Sequence, residues 1–252
     1  MHKKSLLTLS ATLFFSVGIS LSLSAATLVT NVKGYTLNEQ GKLIQFKRLL
    51  VDDNGKVVSL DPNKVPAGTT KLDGHDKVLL PGLIDAHGHL LGLGGNLLEV
   101  DLRESGTMQE AAQWVAQYAM GHADQEWIKG RGWNQELWSD RSFPNAEVLD
   151  DVISNKPVWL TRVDGHAAWV NTKALELAGI TNDTPDPTGG QIIRDENGQA
   201  TGVLIDNAMD LVAEVMPKQS SKLYQAQLNA AGEHLLSVGI TAMHDAGIGH
   251  HV

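Results

Sequence analysis

The sequence predicts an α/β protein in two parts. Three observations carry this: apolar residues between 27 and 80 fall in short β-type runs, helical and strand patterns alternate after Pro81-Gly82, and capping residues punctuate the second part. The chain has 252 residues, 42% hydrophobic and 19% charged, with 25 Gly and no Cys, a composition able to bury a core without cross-links. Its formal net charge of −9 argues against a nucleic-acid or anionic-membrane surface, which needs clustered Lys and Arg. A small molecule or a metal ion is the easier partner.

Lys3 and Lys4 precede an apolar stretch from Leu6 to Leu23, and Ser24-Ala25-Ala26 supplies the small residues a signal peptidase needs. Residues 1–26 are therefore expected to be a cleaved export signal, which places the mature protein in the periplasm or outside the cell and off the membrane.

Leu28 to Val32, Leu43 to Val51 and Val57 to Leu60 read as strands, the last two joined by a turn at Asp53-Asn54-Gly55. Leu83 to Ala86 is a short apolar strand of the kind buried on both sides in a parallel sheet. Thr107 and Glu110 form a capping box for a helix reaching about Gly121. A strand at Trp127 to Lys129, a helix over Asn145 to Ile153 and a strand over Val158 to Val163 follow. Ala168 to Leu177 is predicted as helix, stopped by Gly179. Gln191 to Arg194 and Thr201 to Ile205 pair across Glu196-Asn197-Gly198. Ser221 to Ser237 is a long helix ending before Gly239, and Ile240 to His244 is a second buried strand.

The residues that carry chemistry centre on His87-Gly88-His89. Side chains two apart on a strand share a face, so both imidazoles can reach one metal ion. Asp85, on that same face, is read as supporting the site. His166, after Asp164-Gly165 at a strand end, is a candidate substrate contact or a buried, hydrogen-bonded histidine. His244 is read as structural, and His250 and His251 as a terminal tail. Trp133, Trp138, Trp159 and Trp169 either wall a pocket or fill a core, with core favoured for Trp159. Arg131 and Arg162 either bind a substrate carboxylate or pair with the surplus acids. Gly189-Gly190 precedes a hairpin and is no phosphate cradle. No Gly-x-Ser-x-Gly elbow occurs, and a cysteine nucleophile is impossible.

The run Pro81-Gly82-Leu83-Ile84-Asp85-Ala86-His87-Gly88-His89-Leu90 resembles the first-strand signature of the amidohydrolase superfamily of metal-dependent hydrolases. Gly130-Arg131-Gly132-Trp133-Asn134-Gln135, Pro157 to Arg162, Asp164-Gly165-His166 through Asn171, Thr201 to Leu204 and Gly239 to Gly247 resemble its YtcJ-like subgroup. The resemblance implies a (β/α)₈ metallo-hydrolase barrel, here incomplete. It also implies an amino-terminal β-sandwich segment at 27–80, a barrel start at 81–252, and a large α+β insertion at about 96–235. It implies one or two divalent ions, usually zinc, with His87 and His89 as the first pair of ligands, and hydrolysis of a non-peptide carbon–nitrogen bond in an amide-like substrate. His166, Trp133 and Arg162 are the candidate substrate contacts. The family's later ligands, a bridging carboxylate, two histidines and an aspartate, have no counterpart in the sequence.

A complete barrel takes about 250 residues, whereas Pro81 to Val252 is 172. The expectation is therefore the front portion of a larger enzyme, inactive or weakly active by itself and inclined to self-associate through exposed sheet edges. The competing expectation is a non-catalytic remnant that binds a ligand or regulates.

Overall fold

The computed structural model describes residues 26–247, so residues 1–25 of the expected export signal, and His250 and His251, lie outside the described residues. The chain divides into two units between Pro81 and Gly82.

The first unit holds β1 (Thr27–Leu37), β2 (Leu43–Phe46), β3 (Leu49–Val51), β4 (Val57–Leu60) and β5 (Thr70–Leu79). β1 is the hub. Its second half pairs antiparallel with β2, its first half with β3, and β5 runs parallel to it. The single run expected over Leu43 to Val51 breaks at Lys47 and Arg48 because Asp61 Oδ1 accepts both of their backbone N–H groups, at 3.0 and 2.9 Å. The turn between β3 and β4 forms where expected, with Asp52 Oδ1 accepting N–H bonds from Asn54 and Lys56. β5 lacks a sequence signal because it bulges at its centre, where His75 and Asp76 take φ of 50° and 57°. The buried apolar residues of this unit are Leu28 and Val32 of β1, Phe46 of β2 and Leu50 of β3. These strands make one sheet, and a sandwich would need a second layer that the unit's described residues do not supply.

The second unit holds β6 (Leu83–Gly88), α1 (Leu90–Leu97), β7 (Val100–Asp101), α2 (Met108–Gly121), β8 (Ile128–Trp133), α3 (Ala146–Asp150), β9 (Val158–Arg162) and β10 (Ala167–Val170). It continues with α4 (Thr172–Leu177), β11 (Gly190–Arg194), β12 (Ala200–Asp206), α5 (Asp210–Ala213), α6 (Ser221–Ser237) and β13 (Ile240–Asp245). Six strands form a mixed sheet in the order β11-β12-β10-β9-β8-β7, parallel from β7 to β9 and antiparallel beyond.

Strand alternation sends Ala167, Trp169 and Val203 into a core with Ala111, Val115 and Leu149 from α2 and α3. Ala168, Val170 and Leu204 enter a second core with Leu175 and Val212 from α4 and α5. Both faces of the sheet are thus covered. Ala168 to Val170, expected as helix, is strand, because β10 is threaded between β9 and β12 and lies wholly buried. The helix starts only after Asn171, whose Oδ1 accepts the Ala174 N–H at 3.1 Å. It ends as expected at Gly179, at φ 65°, where Gly179 and Ile180 donate N–H bonds to Glu176 and Leu175 in a Schellman motif.

β6 and β13 pair in parallel and, among the described residues, only with each other. Their expected burial is not found: Leu83 and Ile84 are 59% and 67% exposed. Apolar composition marks a strand for burial, but burial needs flanking strands and covering layers, and a two-stranded ribbon has neither on its own. α1 and α6 meet closely enough that a Cβ on Gly94 would stand 2.0 Å from the Gln227 carbonyl oxygen.

Candidate functional site

Two groups of chemistry-bearing side chains lie in the second unit. The first sits where β6 gives way to α1. His87 is the penultimate residue of β6, and His89 is the N-cap residue just before α1. Their rings stand edge to face with centroids 5.5 Å apart. Asp85 supports this corner through the backbone, accepting the His87 N–H at 3.0 Å.

Sequence reasoning gave Asp245 no role. It ends β13 opposite Gly88, and its two carboxylate oxygens accept the N–H groups of Gly247 at 2.8 Å and Leu90 at 3.0 Å. Those two donors, Gly247 first, hold its carboxyl below the usual range, with the His89 charge adding to them. Asp245 therefore ties β13 to the corner that carries the imidazole pair. Its signal was its place at the end of a second parallel strand. His244 is exposed.

Zinc is held tightly by three or four protein ligands. Among the described residues no three His, Cys, Asp or Glu side chains converge as a metal-holding group. The imidazole pair thus fits part of a zinc site and not a complete one.

The second group lies at the ends of β8, β9 and β12. Arg162, expected as a substrate contact, is turned inward. Its Nε donates to Gln135 Oε1 at 2.9 Å, its Nη1 pairs with Asp164 at 2.7 Å, and its guanidinium lies 6.0 Å from the Trp133 ring centroid. Trp133 is corrected more fully. It is completely buried, with its indole N–H given to the Leu160 carbonyl at 2.8 Å, so it supports Arg162 from below and meets no solvent. Trp138 and Trp169 are core residues too, their N–H groups donated to Ser105 and Asn145 carbonyls. Trp159, for which core was favoured, packs half-buried against the second core, its N–H held by Thr161.

His166 alone of the three expected contacts faces outward, with its side chain 74% exposed. Asp164 Oδ1 accepts its backbone N–H at 3.0 Å, and its Nδ1 lies 2.8 Å from Asp206 Oδ1. Arg131 packs on the loop before His166: its Nη2 donates to the Val163 carbonyl at 3.3 Å and is 3.7 Å from where a Cβ on Gly165 would lie. Arg131 and Val163 also line a cleft of about 460 Å³ with Asp101, Arg103 and His234. Glu99 lies on its wall and on that of a second cleft of about 250 Å³. Burial raises the Glu99 carboxyl, and the charges of Lys129 and Arg131 offset part of the rise.

Comparison with known proteins adds the following. Residues 72–251 match the model of the amidohydrolase family. The chain is 33% identical over 228 residues to the Arabidopsis thaliana protein LONG AFTER FAR-RED 3, covering 88% of this chain and 38% of the relative. It is 30% identical over 220 residues to the putative amidohydrolase YtcJ of Bacillus subtilis, covering 86% and 42%. It is 29% identical over 185 residues to the N-substituted formamide deformylase of Arthrobacter pascens, covering 69% and 33%. The solved structure of an uncharacterized metal-dependent hydrolase from Pyrococcus horikoshii superposes with a TM-score of 0.63 at 26% identity, covering 87% of this chain and 42% of that one. The chain therefore spans between a third and about two fifths of the length of these proteins. With its matched segment running from within β5 to beyond β13, and the imidazole pair inside it, the chain belongs to the amidohydrolase family.

Proposed function

We propose that this chain is the amino-terminal portion of an exported, metal-dependent hydrolase acting on non-peptide carbon–nitrogen bonds of small amide-like molecules. His87 and His89 are two ligands of its divalent ion, zinc. The observation that carries this reading is the edge-to-face apposition of the two rings at a strand end, within the segment matching a hydrolytic family. Bound zinc supplies Lewis-acid chemistry, lowering the pKa of a water and polarising a carbonyl. This chain's residues supply two of the donors, the Asp245 clamp that holds their corner, and an outward-facing His166 for the substrate. The β1–β5 sheet is one layer of a sandwich, and β6 and β13 are the first strands of the barrel. The exposed apolar side chains of β6 favour self-association of the isolated chain.

Zinc binding tests the reading. In equilibrium dialysis the chain is expected to bind zinc weakly, and His87→Ala or His89→Ala to abolish what binding there is. No binding by the unaltered chain would overturn the ligand assignment. Stoichiometric zinc retained through dialysis, with hydrolysis of an N-substituted formamide, would overturn the incompleteness of the site.

A further inference from the structure

Asp101 and Arg131 are register partners in the parallel pair of β7 and β8, so an acid and a base stand side by side at the edge of the mixed sheet. Opposite charges so placed ordinarily pair. Here they do not, because Arg103 has taken the acid: its Nε and Nη2 donate to the two Asp101 carboxylate oxygens at 2.9 and 2.6 Å, the two-pronged geometry that suits a carboxylate. Gly132 makes room for this turn of Arg103, since a Cβ there would stand 2.5 Å from Arg103 Cγ.

Arg131 is left with one hydrogen bond, from Nη2 to the Val163 carbonyl, for five N–H donors, and among the described residues it makes no ion pair. Glu99 feels its charge without pairing with it, and burial raises that carboxyl, which makes Glu99 a weaker competitor for the cation. Arg131 lines the 460 Å³ cleft, a volume within the range of small-molecule sites. Apolar surface lies in the same cleft: Leu97 and Val163, 43% and 42% exposed, line it together with Leu93. An unpaired guanidinium and an apolar wall are jointly complementary to an amphipathic anion. Inorganic phosphate would satisfy only the cation, and a neutral hydrocarbon only the wall.

We propose that this cleft binds a small monocarboxylate with an apolar body, its carboxylate held by the Arg131 guanidinium and its body against Leu93, Leu97 and Val163, and that the Arg103–Asp101 pair keeps Arg131 available for it. Such binding goes beyond the hydrolase reading and is independent of it, because it involves neither zinc nor turnover.

The test is ligand-observed ¹⁹F NMR of the 252-residue chain with 4-fluorobenzoate and with 4-fluorobenzamide, which matches the acid in shape and lacks its charge. The acid is expected to bind about tenfold tighter than the amide, the order expected for a hydrogen bond to a charged group. Arg131→Met is expected to remove that tenfold advantage and leave the amide unchanged, and Arg131→Lys, which keeps the charge without the fork, to fall between. Arg103→Met frees Asp101 to take Arg131 and is expected to weaken binding of the acid. Adding Asp101→Asn to Arg103→Met leaves Arg131 unpaired again and is expected to restore it. Tryptophan fluorescence and melting verify that each variant is folded, and the comparison of acid with amide needs no variant. Equal binding of the two ligands, or no binding of the acid, would overturn the site. Undiminished binding of the acid by Arg131→Met and Arg131→Lys would overturn the assignment to Arg131. Undiminished binding by Arg103→Met, or a double variant as weak as Arg103→Met, would overturn the role of the Arg103–Asp101 pair.

Discussion

Replacing Asp206 by Ala and by Gly separates the strain at this residue from the work of its carboxylate. Both variants lose the bond to His166, so that loss cancels between them. Alanine retains a Cβ at φ 48°, ψ −123° and glycine does not. A residue held in such a region costs about 1–3 kcal/mol. The greater freedom of glycine in the unfolded chain offsets about 0.5–1 kcal/mol of the relief. Asp206→Gly is therefore expected to be more stable than Asp206→Ala by roughly 0.5–2 kcal/mol, the reverse of the order in a helix or strand interior. Urea unfolding followed by tryptophan fluorescence is a suitable assay, because all six tryptophans lie between residues 114 and 169, in the unit that contains Asp206. The denaturant slope should be the same in both variants. An alanine variant as stable as the glycine variant, or more so, would refute the claim that Asp206 is strained.

Other expectations follow from particular contacts. Asn171 is fully buried, with Nδ2 donating to the Ile153 and Lys156 carbonyls and Oδ1 accepting from Val158 and Ala174, so Asn171→Ala strands several buried groups and should cost about 3 kcal/mol or more in chemical denaturation. Gly94→Ala, which ordinarily favours a helix by about 1 kcal/mol, should instead destabilise by roughly 1–3 kcal/mol, because its Cβ would meet backbone of α6 at 2.0 Å; a higher melting temperature would contradict that packing. Glu99 has a folded-state value raised above the ordinary 4.5, so the folded protein holds this proton more firmly than the unfolded chain does. Its contribution is fully present below the unfolded value and is lost as pH rises through the folded one. Glu99→Gln should therefore gain stability over the unaltered protein at pH 7 and show no gain in acid; a constant difference across pH would exclude burial of the charge as the cause.

Features set within a few residues of one another were legible in the sequence. Thr107 accepts the Glu110 N–H at 3.1 Å and opens α2, although Glu110 answers to the Gly106 N–H rather than to Thr107 itself. Ser221–Ser237 is helical over the span its pattern predicts, and Gly179 stops α4. His87 and His89 are two apart in the sequence, but β6 ends at Gly88, so their ring apposition comes from the strand-to-helix junction and not from strand alternation alone. Each of these depends on bonds or side-chain directions that the local chain controls.

What only the tertiary structure decided depends on partners far away in the chain. Ala168 to Val170 became strand because residues from β9 and β12 flank it on both sides, in keeping with the strand preference of Trp169 and Val170 and outweighing the helix preference of Ala168. Arg162 was turned inward because Gln135, 27 residues distant, accepts its Nε–H, while its charge is met by Asp164, two residues on. His166 acquired its carboxylate from Asp206, 40 residues on, and Leu90 its cap from Asp245, 155 residues on. By itself the sequence determined which side chains carry metal-ligating or hydrogen-bonding groups and where α4 and α6 stop, since residue chemistry and capping are local. Which of those residues face solvent, and with which partners, was decided by packing, since exposure and long-range pairing are properties of the folded surface.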